Sequence, residues 1–120
     1  MGTRADFYVG HGKQAEWIGS VAYDGYMYAE ESNNSIIESK TEEEFRKNVL
    51  DMLNSRRDST LPVNGWPWCW ETSKLTDYVY WFENGKVNYT NDPDDNWPNM
   101  KEKQNVRLNE QISGILIFGV

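Results

Sequence analysis

The chain has 120 residues, of which 19 are acidic and 12 basic, so its formal net charge is −7. This length fits one domain around one core, and the charge disfavours direct binding to nucleic acid phosphates or anionic lipid headgroups. Because no apolar run reaches the roughly 18 residues of a membrane span and no secretory signal is visible, the sequence predicts a cytoplasmic protein.

Two strand-like segments near the N-terminus predict a β-hairpin. "RADFYVG" (4–10) and "AEWIGSVAYD" (15–24) are rich in β-branched and aromatic residues, and "GHGK" between them supplies turn-forming glycines. Strict alternation along the strands predicts one face made of Phe7, Val9, Trp17, Val21 and Tyr23. The other face would carry Asp6, Tyr8 and Ser20.

The segment "TEEEFRKNVLDMLNSRR" (41–57) predicts a helix. Thr41 and Glu44 match a capping box, and acidic residues fill the first turn, where the helix dipole favours negative charge. The apolar residues at helical spacing, which are expected to pack on the sheet, are Phe45, Val49, Leu50 and Leu53. The flanking segments, 25–40 and 58–67, are rich in turn residues and are expected to be loops.

A second hairpin is predicted in "LTDYVYWFENGKVNYTN" (75–91). Asn84-Gly85 suits a type I′ turn between two strand-like runs. Alternation places Tyr78, Tyr80 and Phe82 on one face of the first strand, and Val79 and Trp81 on the other. Both faces therefore carry large rings, and at least one of them should be covered.

The C-terminal third is predicted to be an exposed connection followed by a strand. Two prolines and many polar residues characterise the connection at 91–104, with Trp97 folded back, and "SGILIFGV" (113–120) is typical of a strand buried on both faces. The sequence thus predicts an α+β fold in the order β-β-α-β-β-β. It would be a single domain, 1–120, with an antiparallel sheet, one helix packed on one face and an exposed insertion at 91–104.

No catalytic or metal-binding motif stands out. His11, in the "GHGK" turn, is expected to be a solvated surface group, and the single Cys69, between two tryptophans, a buried and inert thiol. The acidic run "NDPDDN" (91–96) lacks the glycine and the glutamate of an EF-hand loop. We therefore predict neither a metal site nor a cofactor, and no enzyme.

The aromatic segment "NGWPWCW" (64–70) is the strongest candidate for a binding surface. Pro67 and the preceding Asn-Gly make it a loop or edge segment, whose tryptophans either join the core or bind a ligand. Stacked rings bind planar bases or apolar partner surfaces, and cations close in sequence could meet phosphate oxygens. The predicted ligand-binding residues are Trp66, Trp68, Trp70, Arg56, Arg57, Lys74 and Tyr78.

Several segments together resemble a family of small phage and prophage proteins. They are "MGTRADFYVG", "AEWIGSVAYDGY", "TEEEFR", "TLP" with "GWPW", and "TDYVY", and the resemblance covers roughly residues 1–90. It brings no assigned catalytic residues. It implies a phage setting, in which small acidic proteins without enzymatic activity often counter host defences.

Two binding functions follow. The first is sequestration of a nucleotide-type immune signal in an aromatic and arginine pocket. The second is inhibition of a host defence effector, whose basic surface the acidic protein would block, and the charge of −7 motivates it. Charge favours the second and the aromatic grouping favours the first, which ranks ahead. An exposed edge strand would also allow a homodimer.

Overall fold

A five-stranded sheet with one helix packed on it forms the part of the chain that the structure describes. This computed structural model describes residues 2–26 and 35–101. The strands are β1 (Ala5–Val9), β2 (Glu16–Val21), β3 (Ser59–Thr60), β4 (Tyr78–Glu83) and β5 (Lys86–Thr90). The helix, α1, spans Glu42–Asn54, and two 3₁₀ turns span Pro62–Asn64 and Ser73–Leu75. The predicted α+β class is confirmed.

Strand β1 lies at the centre of the sheet, whose order is β3-β2-β1-β4-β5. It pairs antiparallel with β2 but parallel with β4. The prediction of a wholly antiparallel sheet is therefore wrong at this pair. A parallel pair needs a long crossover connection, and here the chain returns through α1 and the loop after it. Turn signals reveal each hairpin but not how two hairpins lie beside each other, so the sequence does not show this pairing.

The order β-β-α-β-β-β is found, but it is made from different strands than predicted. β3 forms within the segment 58–67, which was expected to be a loop, and pairs with the end of β2. The predicted C-terminal strand, 113–120, lies outside the described residues, as does 102–104 of the predicted insertion.

Helix α1 begins as its sequence predicts. The Thr41 hydroxyl accepts a hydrogen bond from the Glu44 amide at 3.1 Å, which satisfies one of the amides that a helix N-terminus leaves free. Its buried face contains Phe45, Val49 and Leu53.

Leu50 does not belong to the buried face of α1. Its exposure is 48%, so its predicted place on the sheet is wrong. At about 100° per residue, Leu50 points about 100° away from Val49, whereas Met52 returns to the Phe45 side. Met52 accordingly packs against the core in a partly buried position.

A bulge in β2 changes which face Trp17 occupies. Phe7 pairs with Gly19, but the next residue, Tyr8, pairs with Trp17, so Ile18 is an extra residue. The extra residue reverses the alternation of side chains. The predicted position of Trp17 beside Phe7 is therefore wrong, and Trp17 packs with Tyr8 on the opposite face.

The second hairpin, β4–β5, is confirmed. Asn84 and Gly85 have φ angles of 56° and 76°. A type I′ turn requires a positive φ at both of its central positions. The alternation of β4 is also confirmed, because Tyr80 and Phe82 pack towards the helix and Val79 away from it.

The sheet therefore has two covered faces. The first face packs against α1, and its buried residues are Ala5, Phe7, Val21, Ile36, Phe45, Val49, Leu53, Tyr80 and Phe82. The second face lies under aromatic loops, and its buried residues are Tyr8, Ala15, Trp17, Trp66, Val79, Trp97 and Met100. Within the described residues, no helix has the length and apolar character needed to cross a membrane.

Candidate functional site

The chain that follows the predicted aromatic segment belongs with its tryptophans, and residues 66–76, called the aromatic segment from here on, cover the second face of the sheet. Trp66 is buried there, and Trp68 and Trp70 are partly buried against the same cluster. Pro67 and Cys69, which alternate with these tryptophans along the chain, are exposed. The prediction that Cys69 is buried is therefore wrong.

Beneath this segment lies a buried carboxylate, Asp6, whose exposure is 0%. Its Oδ1 atom accepts hydrogen bonds from the Ser20 hydroxyl at 2.5 Å and from Trp68 Nε1 at 2.7 Å. Its Oδ2 atom accepts one from the Ser73 hydroxyl at 2.7 Å, and the Thr76 hydroxyl is a further donor. Asp6 is thus the point at which β1, β2 and the aromatic segment are joined.

Tryptophan N–H groups fix the direction of this network. Trp17 donates to the Ser20 hydroxyl at 3.0 Å, and Trp70 donates to the Thr76 hydroxyl at 3.0 Å. An indole can only donate, so each hydroxyl must direct its own hydrogen towards Asp6. The oxygens of Asp6 that face these hydroxyls therefore act as acceptors and carry no proton in these hydrogen bonds.

Burial and hydrogen bonding act on Asp6 in opposite directions. Burial disfavours the charged form and raises the pKa of the Asp6 carboxyl above its usual value, while the hydrogen bonds from Ser20, Thr76, Trp68 and Ser73 lower it. Burial is the larger effect, so the pKa of the Asp6 carboxyl lies above its usual value.

The partly exposed tryptophans form a stacked pair beside an arginine. The rings of Trp68 and Trp70, which we call the Trp68–Trp70 pair, have centroids 5.4 Å apart and an interplanar angle of 18°. The Arg4 guanidinium carbon lies 5.8 Å from the Trp68 centroid and 5.4 Å from that of Trp70. Both distances lie in the range of cation–π attraction.

Arg4 is held in place through its backbone at the start of β1. Its amide donates to the Asp77 carboxylate at 2.9 Å, and its carbonyl accepts from the Tyr78 amide at 3.0 Å. The Arg4 guanidinium also lies 3.9 Å from the Asp77 carboxylate, with both side chains more than 40% exposed. The backbone is fixed, whereas the guanidinium is accessible to water.

The structure separates the predicted arginines from the predicted tryptophans. Arg56 follows α1, which packs on the first face, whereas the tryptophans lie on the second. Arg56 donates two hydrogen bonds to the Asp58 carboxylate, at 2.7 and 2.8 Å, and another to the Tyr23 carbonyl. Although burial opposes it, this contact holds the pKa of the Asp58 carboxyl below its usual value.

The remaining predicted residues are also divided between the two faces. Arg57 is exposed next to Arg56, and Tyr78 stacks on Tyr80 on the helix side, with centroids 6.0 Å apart. Lys74 does lie in the aromatic segment, where it pairs with Asp95 at 3.3 Å. The structure therefore brings together the three tryptophans, with Lys74 in the same segment but paired with Asp95, and it places the two arginines and Tyr78 elsewhere.

Sequence reasoning missed Arg4 and gave Asp6 no role. Alternation did place Asp6 with Tyr8 on the face opposite Phe7, and a carboxylate within an otherwise apolar strand-like run is a signal for a buried polar network. For Arg4 the sequence offers no such signal, since its contact with the Trp68–Trp70 pair depends on the parallel pairing of β1 with β4.

The acidic segment 91–101 is anchored to the second face by Trp97. This side chain is only 2% exposed, and its ring centroid lies 4.7 Å from that of Tyr8 and 5.4 Å from that of Trp81. Trp97 is thus folded back, as predicted. His11, exposed as predicted, places its ring centroid 5.0 Å from that of Trp97.

The carboxylates of this segment point into solvent from a fixed backbone. Asp92, Asp94 and Asp95 are exposed, whereas the prolines between and after them are buried. The Met100 amide donates to the Glu71 carbonyl at 2.8 Å, which joins the end of segment 91–101 to the aromatic segment. Among residues 2–26 and 35–101, no three His, Cys, Asp or Glu side chains converge in a way that could hold a metal ion.

No protein-family model, curated protein or solved structure matches this chain. The resemblance to small phage proteins therefore stays a prediction from the quoted segments.

Proposed function

We propose that the protein is a phage-encoded counter-defence protein that binds a host defence effector and blocks its basic, nucleic-acid-binding surface. The phage setting comes from the sequence resemblance. The observation that carries the choice of an acidic inhibitor is that the protein's own carboxylates already pair with two of the three cations predicted to meet a phosphate ligand. Arg56 pairs with Asp58, and Lys74 with Asp95.

The net negative charge supports this choice. A net charge of −7 repels a polyanionic ligand unless the pocket is locally basic, and attracts a basic protein. The exposed carboxylates of Asp92, Asp94 and Asp95 stand on a segment that Trp97 fixes to the sheet, so little ordering is needed when a partner binds. Such fixed rim charges mainly accelerate association.

Neutralising the carboxylates of this segment is expected to weaken inhibition strongly. Host strains that each carry one defence system would express the protein, and phage plating would identify the system that it disables. In that strain the wild-type protein protects the phage from the defence system. The triple variant Asp92→Asn, Asp94→Asn, Asp95→Asn should protect it much less. Its association with the effector concerned should be about tenfold slower at low salt, with a smaller difference at high salt.

The matched control neutralises three carboxylates on the helix side: Glu38→Gln, Glu43→Gln and Asp51→Asn. It has the same net charge as the test variant, and its three positions are exposed. We expect it to protect the phage nearly as well as the wild type. Equal losses in both variants would contradict a specific role of the segment 91–96, and protection against no system would contradict the proposed function.

Sequestration of a nucleotide-type signal is the second candidate, and the Trp68–Trp70 pair with Arg4 favours it. A base could stack on the indoles while the guanidinium met a phosphate.

The nucleotide candidate predicts heat in calorimetry against a panel of cyclic and linear nucleotides. Trp68→Ala should then weaken binding by about 1–3 kcal/mol, as for other base-stacking side chains. Tyr89→Ala, at an exposed aromatic residue of β5, should not change the affinity. Circular dichroism would verify that both variants are folded. Absence of heat with every nucleotide would exclude this candidate.

A further inference from the structure

The Trp68–Trp70 pair already holds a cation, because the Arg4 guanidinium lies over both rings. A guanidinium is planar and stacks on aromatic faces, which a compact ammonium group does less well. The Arg4 side chain is 41% exposed, so it covers the rings without being enclosed by them.

Two carboxyl groups lie beside the pair or its arginine. Trp68 donates its indole hydrogen to the buried Asp6 carboxylate at 2.7 Å, and Trp70 is linked to the same carboxylate through the Thr76 hydroxyl. Donation to a carboxyl oxygen polarises the indole and makes its face more attractive to cations. Asp77 adds a second carboxylate beside Arg4. These surroundings suit a guanidinium and repel a phosphate.

We propose that the Trp68–Trp70 pair is a binding site for an arginine side chain of a basic partner protein, and that Arg4 occupies this site in the free protein. This inference rests on the proposed function for the source of the arginine, and it names the contact that the partner makes. The incoming guanidinium takes the place of the Arg4 guanidinium, and no covalent bond changes.

The way Arg4 is held permits this exchange. Its backbone is fixed by the Asp77 carboxylate and the Tyr78 amide, so β1 stays in register when the side chain moves away. The guanidinium itself is held by an ion pair with Asp77 in which both side chains are exposed, and exposed ion pairs contribute little stability. A partner's arginine therefore meets a weakly held competitor at a preformed aromatic site.

Removal of Arg4 tests the inference by the sign of its effect. The probe is the peptide acetyl-Gly-Arg-Gly-Arg-Gly-amide, titrated into the full chain while NMR records the indole N–H signals. Arg4→Ala should bind it about fivefold more tightly than the wild type, since the competing cation is gone. The signals of Trp68 and Trp70 should shift, and the matching lysine peptide should bind more weakly.

Arg46→Ala is the matched control, because it removes the same charge from the helix side. Arg46 pairs with Glu16 and Glu42. This variant therefore measures how much the affinity for a cationic peptide rises when the acidic protein loses any one positive charge. An equal gain in both variants would overturn the inference, as would a loss of affinity in Arg4→Ala or equal affinity for the lysine peptide.

The outcomes separate this inference from the proposed function. Tighter peptide binding by Arg4→Ala supports the arginine site, whatever the result of the plating experiment. Failure to protect phage against any defence system contradicts the proposed inhibitor but not the arginine site. Conversely, no gain in Arg4→Ala removes the arginine site while protection by the wild type upholds the inhibitor. A nucleotide that binds the wild type and is weakened by Arg4→Ala would also overturn the arginine site, because Arg4 would then contact a phosphate.

Discussion

Replacing Asp6 by leucine is expected to lower the free energy of unfolding by about 3–5 kcal/mol, because it leaves buried donors without an acceptor. Leucine branches at the same carbon as aspartate, so its methyl groups would lie near the two oxygen positions. Trp68 Nε1 and the hydroxyls of Ser20 and Ser73 would then face an apolar group. Chemical denaturation followed by circular dichroism measures the change.

Asp6→Asn is the control for this substitution. The amide oxygen can accept from Trp68 and Ser20, while the amide nitrogen donates to Ser73, whose hydroxyl then turns towards Tyr8, 2.7 Å away. We therefore expect Asn at this position to cost much less than Leu. If both variants lost the same stability, the hydrogen-bond network would not be the reason.

The pH dependence of stability gives a second readout of Asp6. Burial raises the pKa of the Asp6 carboxyl in the folded protein, whereas an aspartate in the unfolded chain has a pKa of about 3.9. The folded protein therefore retains the carboxyl proton to a higher pH than the unfolded chain does. Above that value the folded state binds more protons, so the contribution of Asp6 to stability falls as the pH rises through the folded pKa. The difference in free energy of unfolding between the wild type and Asp6→Asn should therefore become less favourable to the wild type from pH 4 upwards. A difference that rises with pH would contradict the raised pKa.

Phe45→Ala is expected to lower the free energy of unfolding by about 3–5 kcal/mol, because it removes a large ring from the helix-side core and leaves a cavity. Phe45 is 0% exposed and stacks on Phe82, with centroids 5.8 Å apart. Urea denaturation would measure the loss.

Leu50→Ala on the same helix is the control for Phe45→Ala. Leu50 is 48% exposed, and surface substitutions usually change stability by less than about 0.5 kcal/mol. A loss at Leu50 as large as that at Phe45 would mean that the helix buries a different face.

Features that depend on near neighbours in sequence were predictable. The cap at Thr41, the turn at Asn84-Gly85 and the alternation along β4 each follow from a few consecutive residues, and the structure contains all three. The error at Leu50 was avoidable, since the angular position of a residue on a helix follows from its number alone.

Features that depend on distant residues were not predictable in this way. The parallel pairing of β1 with β4 and the bulge at Ile18 depend on how whole elements fit together. The candidate site shows the same limit. Trp68 and Trp70, two of the predicted residues, stack on each other in the structure. Closeness in sequence suggested Arg56 and Arg57 as their cations, whereas the arginine that lies over them is Arg4.

The parallel pair β1–β4 also has a consequence for the order of folding during synthesis. It joins Ala5 to Tyr78, which are 73 residues apart. At typical bacterial or eukaryotic elongation rates, β1 is made roughly 4–15 s before β4. During that interval the central strand has only β2 as a partner, and the edge that β4 will cover stays open. Such long-range pairing slows folding, so we expect the central strand pair to form late, after the local hairpins and the helix.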